Sequence, residues 1–466
     1  MADGSGSGGR ETGLGPELAA LVLVAAVYGA LATYGTFEWL GEEKLSRAYD
    51  YLGESFLRLE ATVPTNAESL RVDGEDYVYF GPLPALVRIP LNAVWSEASG
   101  LWGRISTLVG GLAALGAWLW LIRGLVDGAA VRVVLGLAFG LGTPVAFLVS
   151  APFIWHESMV IALAGSLWAL ALWIETLVHR RMGRGVWLGL GCAIAVAYLT
   201  RLTFSVPHLA ILTGLYGLAL IRGSGFRALY DAKLSQALLG RANAACLLLP
   251  LIAAFAFQGW YNAERFGSPW VYTSHSSLLS YALYPELQAQ HDAVGTFNLA
   301  RVPGNFGSYL GWQGRLDTSP PFAHLAPNDG LDDALYLEGY REWNGSLWFV
   351  SGWLVLGAGA GLAALARQRK RLELCFALAF SGQLGVVLTY YWVSQRFAAE
   401  LLPLLCWGFA FGVMALRDSP RWRTAMAVGI ALAIPITLAS TLSWQAAFNW
   451  GAPDEYRAAL RAWFGS

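Results

Sequence analysis

Eleven apolar runs recur along the chain, near 17–36, 101–122, 132–151, 156–177, 186–200, 202–221, 243–259, 347–366, 373–392, 400–416 and 425–443. They are close to the length a helix needs to cross bilayer hydrocarbon, about 17 to 25 residues. This spacing predicts an all-α polytopic membrane protein with about 11 transmembrane helices. Composition agrees: 56% of the residues are hydrophobic and only 14% charged, where soluble domains carry about 25% charged residues. The 21 Trp and 19 Tyr suit headgroup-level positions at the two membrane interfaces. A formal charge of −1 excludes a nucleic-acid partner, which needs a concentrated basic surface. Cys192, Cys246, Cys375 and Cys406 sit inside apolar runs, with no CxxC and no His at ligand spacing. They read as small buried hydrophobes.

Short loops rich in Lys and Arg stay cytoplasmic. Five are present: Arg123 with Arg132, His179-Arg180-Arg181 with Arg184, the 222–241 loop with Arg222, Arg227, Lys233 and Arg241, Arg367 to Arg371, and Arg417 to Arg423. Threading eleven spans with the N-terminus inside puts all five on one face and the C-terminus outside. Residues 1–15, rich in Gly and Ser, then form a disordered cytoplasmic tail. Residues 16–443 form the transmembrane domain, with exported loops 37–100 and 260–346, and 444–466 a non-cytoplasmic tail. Two segments of the first exported loop read as interfacial helices. In 45–57 the residues Leu45, Tyr49, Leu52 and Phe56 recur every three or four positions, and the shorter run 83–97 carries Arg88. Between them Asp73-Gly74 followed by alternating aromatics reads as a turn and a short strand.

The polar residues gather on the exported side. Asp50 and Glu54, one helical turn apart, suit a general base or a divalent-cation site, or else a solvated helix face. His156 and Glu157 form a pair at the mouth of an apolar span, where ionisable groups need water or a partner. Arg201 lies between two short spans, Arg265 follows the seventh, and Arg396 and Glu400 are one turn apart between the ninth and tenth. Guanidiniums beside carboxylates and aromatics suit a lipid-linked phosphate, which arginine binds bidentately. The aromatic stretch with Tyr79 suits a sugar face or a prenyl chain.

The order of these features carries a resemblance. One span is followed by a long acidic loop holding Tyr-Asp-Tyr-Leu-Gly-Glu-Ser-Phe-Leu at 49–57 and Tyr-Phe-Gly-Pro-Leu-Pro-Ala-Leu at 79–86. Tyr-Asn-Ala-Glu-Arg-Phe-Gly-Ser-Pro follows at 261–269 and Gln-Arg-Phe-Ala-Ala-Glu-Leu-Leu-Pro at 395–403. From about 34 to 410 the chain resembles bacterial GT-C glycosyltransferases of the protein-mannosyltransferase-like group. The resemblance implies transfer of a sugar from a polyprenyl-phosphate carrier to a glycan, lipid or protein acceptor at the outer face, usually with inversion. It matches Asp50, and after it Glu54, to the essential acid of the first loop, and Glu157 with His156 to a second acidic position. The chain departs from commoner members in having Glu38 and Glu42-Glu43 in place of an acidic doublet directly after the first span. Arg201, Arg265 and Arg396, with Glu400 and Tyr79, are the candidates for the lipid phosphate. A divalent cation is the one candidate cofactor. A transporter or flippase of a lipid-linked or small polar substrate is the alternative, with Gly142-Thr143-Pro144 as its candidate helix break. A non-catalytic scaffold is the third reading.

Overall fold

The computed structural model describes residues 15–66, 68–221, 232–272, 277–337, 339–449 and 451–464. The predicted disordered tail, except its last residue, and Arg222 and Arg227 of the 222–241 loop lie outside the described residues.

The first span is α1 (Gly15–Ala32), and the loop after it carries α2 (Arg47–Leu57), a hairpin of β1 (Ser69–Val72) and β2 (Glu75–Val78), and α3 (Leu83–Val94). Next come α4 (Gly103–Arg123), α5 (Ala129–Leu141), α6 (Pro144–Val149), α7 (Ile154–Leu177), α8 (Arg184–Thr200), α9 (Leu202–Ile221), α10 (Ala232–Leu239) and α11 (Arg241–Phe266). The second long loop holds α12 (Leu279–Leu283), α13 (Pro285–Val294), α14 (Val302–Leu310) and the short pair β3 (Arg315–Leu316) and β4 (Ala323–His324). The chain closes with α15 (Leu347–Arg367), α16 (Arg371–Thr389), a 3-10 segment Gln395–Leu401, α17 (Leu402–Leu416), α18 (Pro420–Phe448) and α19 (Asp454–Phe464).

All eleven predicted runs are helical. Among the described residues nine helical stretches have the length and apolarity to cross a membrane. The other two runs are shorter for visible reasons. The third breaks into α5 and α6 at Gly142-Thr143, where Thr143 caps α6 through Val145 N and Pro144 takes the first helical position, which suits a residue without an N–H. The fifth is α8, 17 residues long. The break is filled rather than open: the buried Trp353 donates to Gly142 O at 3.1 Å and Thr143 to Phe139 O at 2.6 Å. The run 444–466 is not a bare tail. α18 extends into it, and α19 folds back so that Leu460 and Phe464 pack on Ala446.

The ends of the bundle differ in content. The first two basic turns meet at one end, where Arg132 reaches Glu17 at 2.6 Å and Gly124 abuts His179. The other end carries both long loops and is called the site end below. Asp73 and Gly74 have φ of 52° and 88°, the left-handed pair that a two-residue hairpin turn requires, as the sequence predicts. The cysteines depart from expectation. Cys406 is buried, but Cys192 and Cys375 are exposed on the bundle wall, and all four thiols are free.

Side-chain bulk is lowest where α15 crosses α17. Gly357 and Gly361 face Gly408 and Gly412, and a Cβ on Gly361 would collide with Gly408 O and Gly412 N. This is the small-xxx-small contact that lets membrane helices approach backbone to backbone, where no hydrophobic effect drives them together. Gly361→Leu is therefore expected to separate α15 from α17 and to lower the melting temperature in detergent by several degrees. Gly359→Leu, which meets nothing within 4 Å, serves as the neutral comparison.

Candidate active site

The site end is organised by an arginine that looked out of place in an apolar run. Arg88 on α3 is 2% exposed. One terminal nitrogen bonds Asp50 of α2 and the carbonyl of Ser46, and the other bonds both oxygens of Glu157 on α7 at 2.8 Å. Each carboxylate is then fixed from its far side. Asn92 donates to Asp50 at 2.8 Å and is itself oriented by the Trp102 indole at 2.6 Å, while Ser106 donates to Glu157 at 2.6 Å. Burial favours loss of the Arg88 charge, but the two carboxylates outweigh it and hold its pKa above the ordinary value.

Asp50 and Glu157, both brought forward by the sequence, share one cluster, but with companions other than those the sequence suggested. Glu54 is exposed. Gly53 marks the inner side of α2, where a Cβ would lie only 3.1 Å from the Ala85 carbonyl, and Glu54 falls on the flank, out of the cluster. His156 and Glu157 do not pair, because consecutive residues of a helix face different ways. His156 instead sits among the rings of Phe147, Phe153 and Trp444, with centroids 5.3, 5.9 and 6.1 Å away. Asp50 and Glu157 as arranged do not form a cation site, since the positive charge between them is a guanidinium. Among the described residues no three His, Cys, Asp or Glu side chains converge to hold a metal.

A second cluster lies beyond the segment Tyr79–Pro84. Arg201, in the junction between α8 and α9, donates to Glu400 at 2.8 Å. Arg265 ends α11 and lies 3.9 Å over the Tyr261 ring, donating to Val78 O at 3.1 Å and Asn262 at 2.8 Å. Tyr79, Arg201, Arg265 and Glu400 all line one cavity of about 460 Å³, whose walls include Tyr198, Tyr272, Tyr390, Trp392 and Phe397. Three buried polar atoms on this lining lack a hydrogen-bond partner among the described residues: Glu400 Oε2, Arg265 Nε and Thr203 Oγ1. Buried polar groups are nearly always paired, so three orphans in one cavity describe a surface shaped for something polar.

Arg396 and Glu400 do not bond each other. Residues 395–401 form a 3-10 helix, and at three residues per turn positions i and i+4 no longer stack. Arg396 instead bonds Glu342 at 3.0 Å and lies 4.4 Å over Trp392, with Trp392 and Ser394 also donating to Glu342. Glu342 and Arg88 were missed by sequence reading. For Arg88 the signal existed, since a lone charge in an apolar run is a functional candidate by default. Glu342 lies in a loop without periodicity and offered none.

The segment Tyr79–Pro84 borders both cavities and forms, with α8, the wall between them. Tyr79, Phe80 and Gly81 line the arginine cavity, whereas Leu83 and Pro84 line a groove on the Arg88 side. Gly81 has no room for a side chain, because its Cβ would meet the Leu199 and Thr200 carbonyls that end α8. Upstream, Glu43 anchors the loop to Arg104 at 2.6 Å, and burial pushes its pKa up to about 7.

The oligosaccharyltransferase of Archaeoglobus fulgidus in the apo form superposes with a TM-score of 0.50 at 14% identity, covering 94% of this chain. This chain spans 59% of that protein's length. The two chains share a fold. ArnT from Cupriavidus metallidurans in the apo state gives a TM-score of 0.47 at 16% identity, covering 97% of this chain and 68% of ArnT. No family model and no curated protein matches the sequence. Within this fold, the first-loop helices α2 and α3 present the acid cluster and α8, α9, α11 and the 395–401 segment present the arginine cavity.

Removing one member of a buried ion cluster leaves the others uncompensated, at a cost of about 3–5 kcal/mol. Arg88→Met is expected to melt well below the parent, while the triple change with Asp50→Asn and Glu157→Gln recovers most of the loss. Equal melting temperatures for parent and Arg88→Met would show that the cluster does not hold the loop. Glu43 makes a separate expectation. Its folded pKa lies above the unfolded value, so its contribution to stability declines as pH rises from about 4.5 through 7. Glu43→Gln should flatten that part of the stability profile in detergent.

Proposed function

We propose that the chain is a membrane glycosyltransferase that moves a sugar from a polyprenyl-phosphate carrier to an acceptor hydroxyl, with inversion, on the non-cytoplasmic side of the membrane. In this orientation the N-terminus is cytoplasmic and the C-terminus outside. The observation that carries the reading is the arginine cavity with its three orphaned polar atoms, set one backbone segment away from a buried pair of carboxylates.

The charges suit a donor on one side and an acceptor on the other. Two guanidiniums and one carboxylate line the cavity, so it has a net positive charge for a phosphate. Arg201 and the Nε–H of Arg265, unpartnered among the described residues, bind the phosphate oxygens, and Glu400 Oε2 accepts from a sugar hydroxyl. The aromatic walls take the first isoprene units. The sugar reaches past the segment 79–84 to the acid cluster, where Asp50 receives the proton of the acceptor hydroxyl as the hydroxyl oxygen bonds the anomeric carbon. The bond from that carbon to the phosphate oxygen breaks on the opposite face, and the carrier leaves as a polyprenyl phosphate. Charge that builds on the departing phosphate is stabilised by the fixed guanidiniums. Glu157 and Arg88 hold Asp50 in position. Arg396, tied to Glu342 outside the cavity lining, shapes the mouth through Trp392 and Phe397.

A transporter would need its charges on broken helices near the midplane. The break at Gly142-Thr143 is instead filled by Trp353, and the clusters lie at the site end.

Two measurements test the reading. Arg201→Ala and Arg265→Ala are each expected to weaken binding of undecaprenyl phosphate to the reconstituted protein about tenfold or more, the scale of a charge-assisted hydrogen bond. Asp50→Asn is expected to lower sugar transfer in proteoliposomes by about 100-fold or more while the protein remains folded. Full transfer by Asp50→Asn removes Asp50 as the base, and unchanged lipid binding by both arginine variants removes the donor site.

A further inference from the structure

The donor reading leaves the groove on the Arg88 side without an occupant. It occupies about 740 Å³ between α4, α7 and α8, and its lining is almost entirely apolar. On α4 the lining runs from Ile105 to Trp120, and on α7 from Glu157 to Leu172. At 1.5 Å per residue this is a track of about 22 Å, most of the way across a hydrocarbon core of about 30 Å. Val87, Leu91, Val109 and Trp120 are exposed along its lip, so it opens sideways to the surrounding lipid. Trp120 and Trp168, with centroids 6.1 Å apart, stand at its inner end.

The polar head of the groove is Ser106, Glu157 and Arg88. Two carboxylates and one guanidinium leave the cluster with a net negative charge, and both terminal nitrogens of Arg88 are already engaged by the carboxylates. A phosphate is disfavoured there and favoured across the wall. An uncharged hydroxyl fits, because it donates to a carboxylate and accepts from Arg88 Nε–H, which has no partner among the described residues.

We infer that the acceptor is itself a lipid: an aliphatic chain lies in the α4/α7/α8 groove and raises its hydroxyl to the acid cluster. This rests on the transferase reading and names its acceptor class. Two lipids then approach the site from opposite sides of the segment 79–84, the donor by the arginine cavity and the acceptor by the groove.

The test needs no turnover. The full chain in phosphatidylcholine nanodiscs is irradiated with a sixteen-carbon alcohol that carries a mid-chain diazirine, and adducts are mapped by peptide mass spectrometry. Adducts are expected on the groove-facing residues of α4, α7 and α8, at least about fivefold above those on the outer surfaces of α15 and α18. Unlabelled hexadecanol should compete them away, and saturating undecaprenyl phosphate should not. Ala113→Trp, which fills the groove midway, and Val109→Trp, which blocks its lip, should each reduce labelling about fivefold. Leu378→Trp, on an exposed face of α16, should leave labelling unchanged. Adducts spread evenly over all lipid-facing helices, displacement by undecaprenyl phosphate, or full labelling of both groove variants would overturn the proposal. Failure of the donor reading shows separately, as undecaprenyl phosphate binding that ignores Arg201 and Arg265.

Discussion

A guanidinium held between two buried carboxylates is the constraint on which the site end depends. Arg88 belongs to a short helix outside the spans, Asp50 to another, and Glu157 to the first turn of α7. Such a cluster adds little net stability compared with a well-packed apolar core, but loss of any member is costly. Its effect is therefore to specify rather than to strengthen. It docks α2 and α3 onto the spanning bundle in one register, and that register brings the segment 79–84 against the end of α8.

The two sides of that segment differ in sign and in wall chemistry. The arginine cavity is aromatic and net positive, while the groove is aliphatic and headed by a net negative cluster. Neither property belongs to one element. Arg201 sits at the α8–α9 junction, Arg265 at the end of α11 and Glu400 in a 3-10 turn, so the cavity exists only when three separate segments have packed.

Much of this was legible before any coordinates, and the portion that was not has physical reasons. The spans follow from apolar length, the hairpin from Asp73-Gly74, and the interfacial helix α2 from the spacing of Tyr49, Leu52 and Phe56, all of which are buried. Arg201, Arg265, Glu400 and Tyr79 were grouped by their position at one face, and the fold gathers them around one cavity. Pairings were less readable. Reading Arg396 with Glu400, and Asp50 with Glu54, assumed α-helical stacking and a shared environment. A 3-10 geometry breaks the first, and the second fails because Asp50 is buried while Glu54 stays exposed. Glu157 pairs with a residue 69 positions earlier, a contact that local spacing cannot express.

The missing side chain at position 81 joins two regions that otherwise share little. Because Gly81 rests on the Leu199 and Thr200 carbonyls and Arg201 follows at once, the wall and the arginine are mechanically one part. Any side chain at 81 would push the segment off the end of α8, so its position relative to Arg201 is set by backbone meeting backbone.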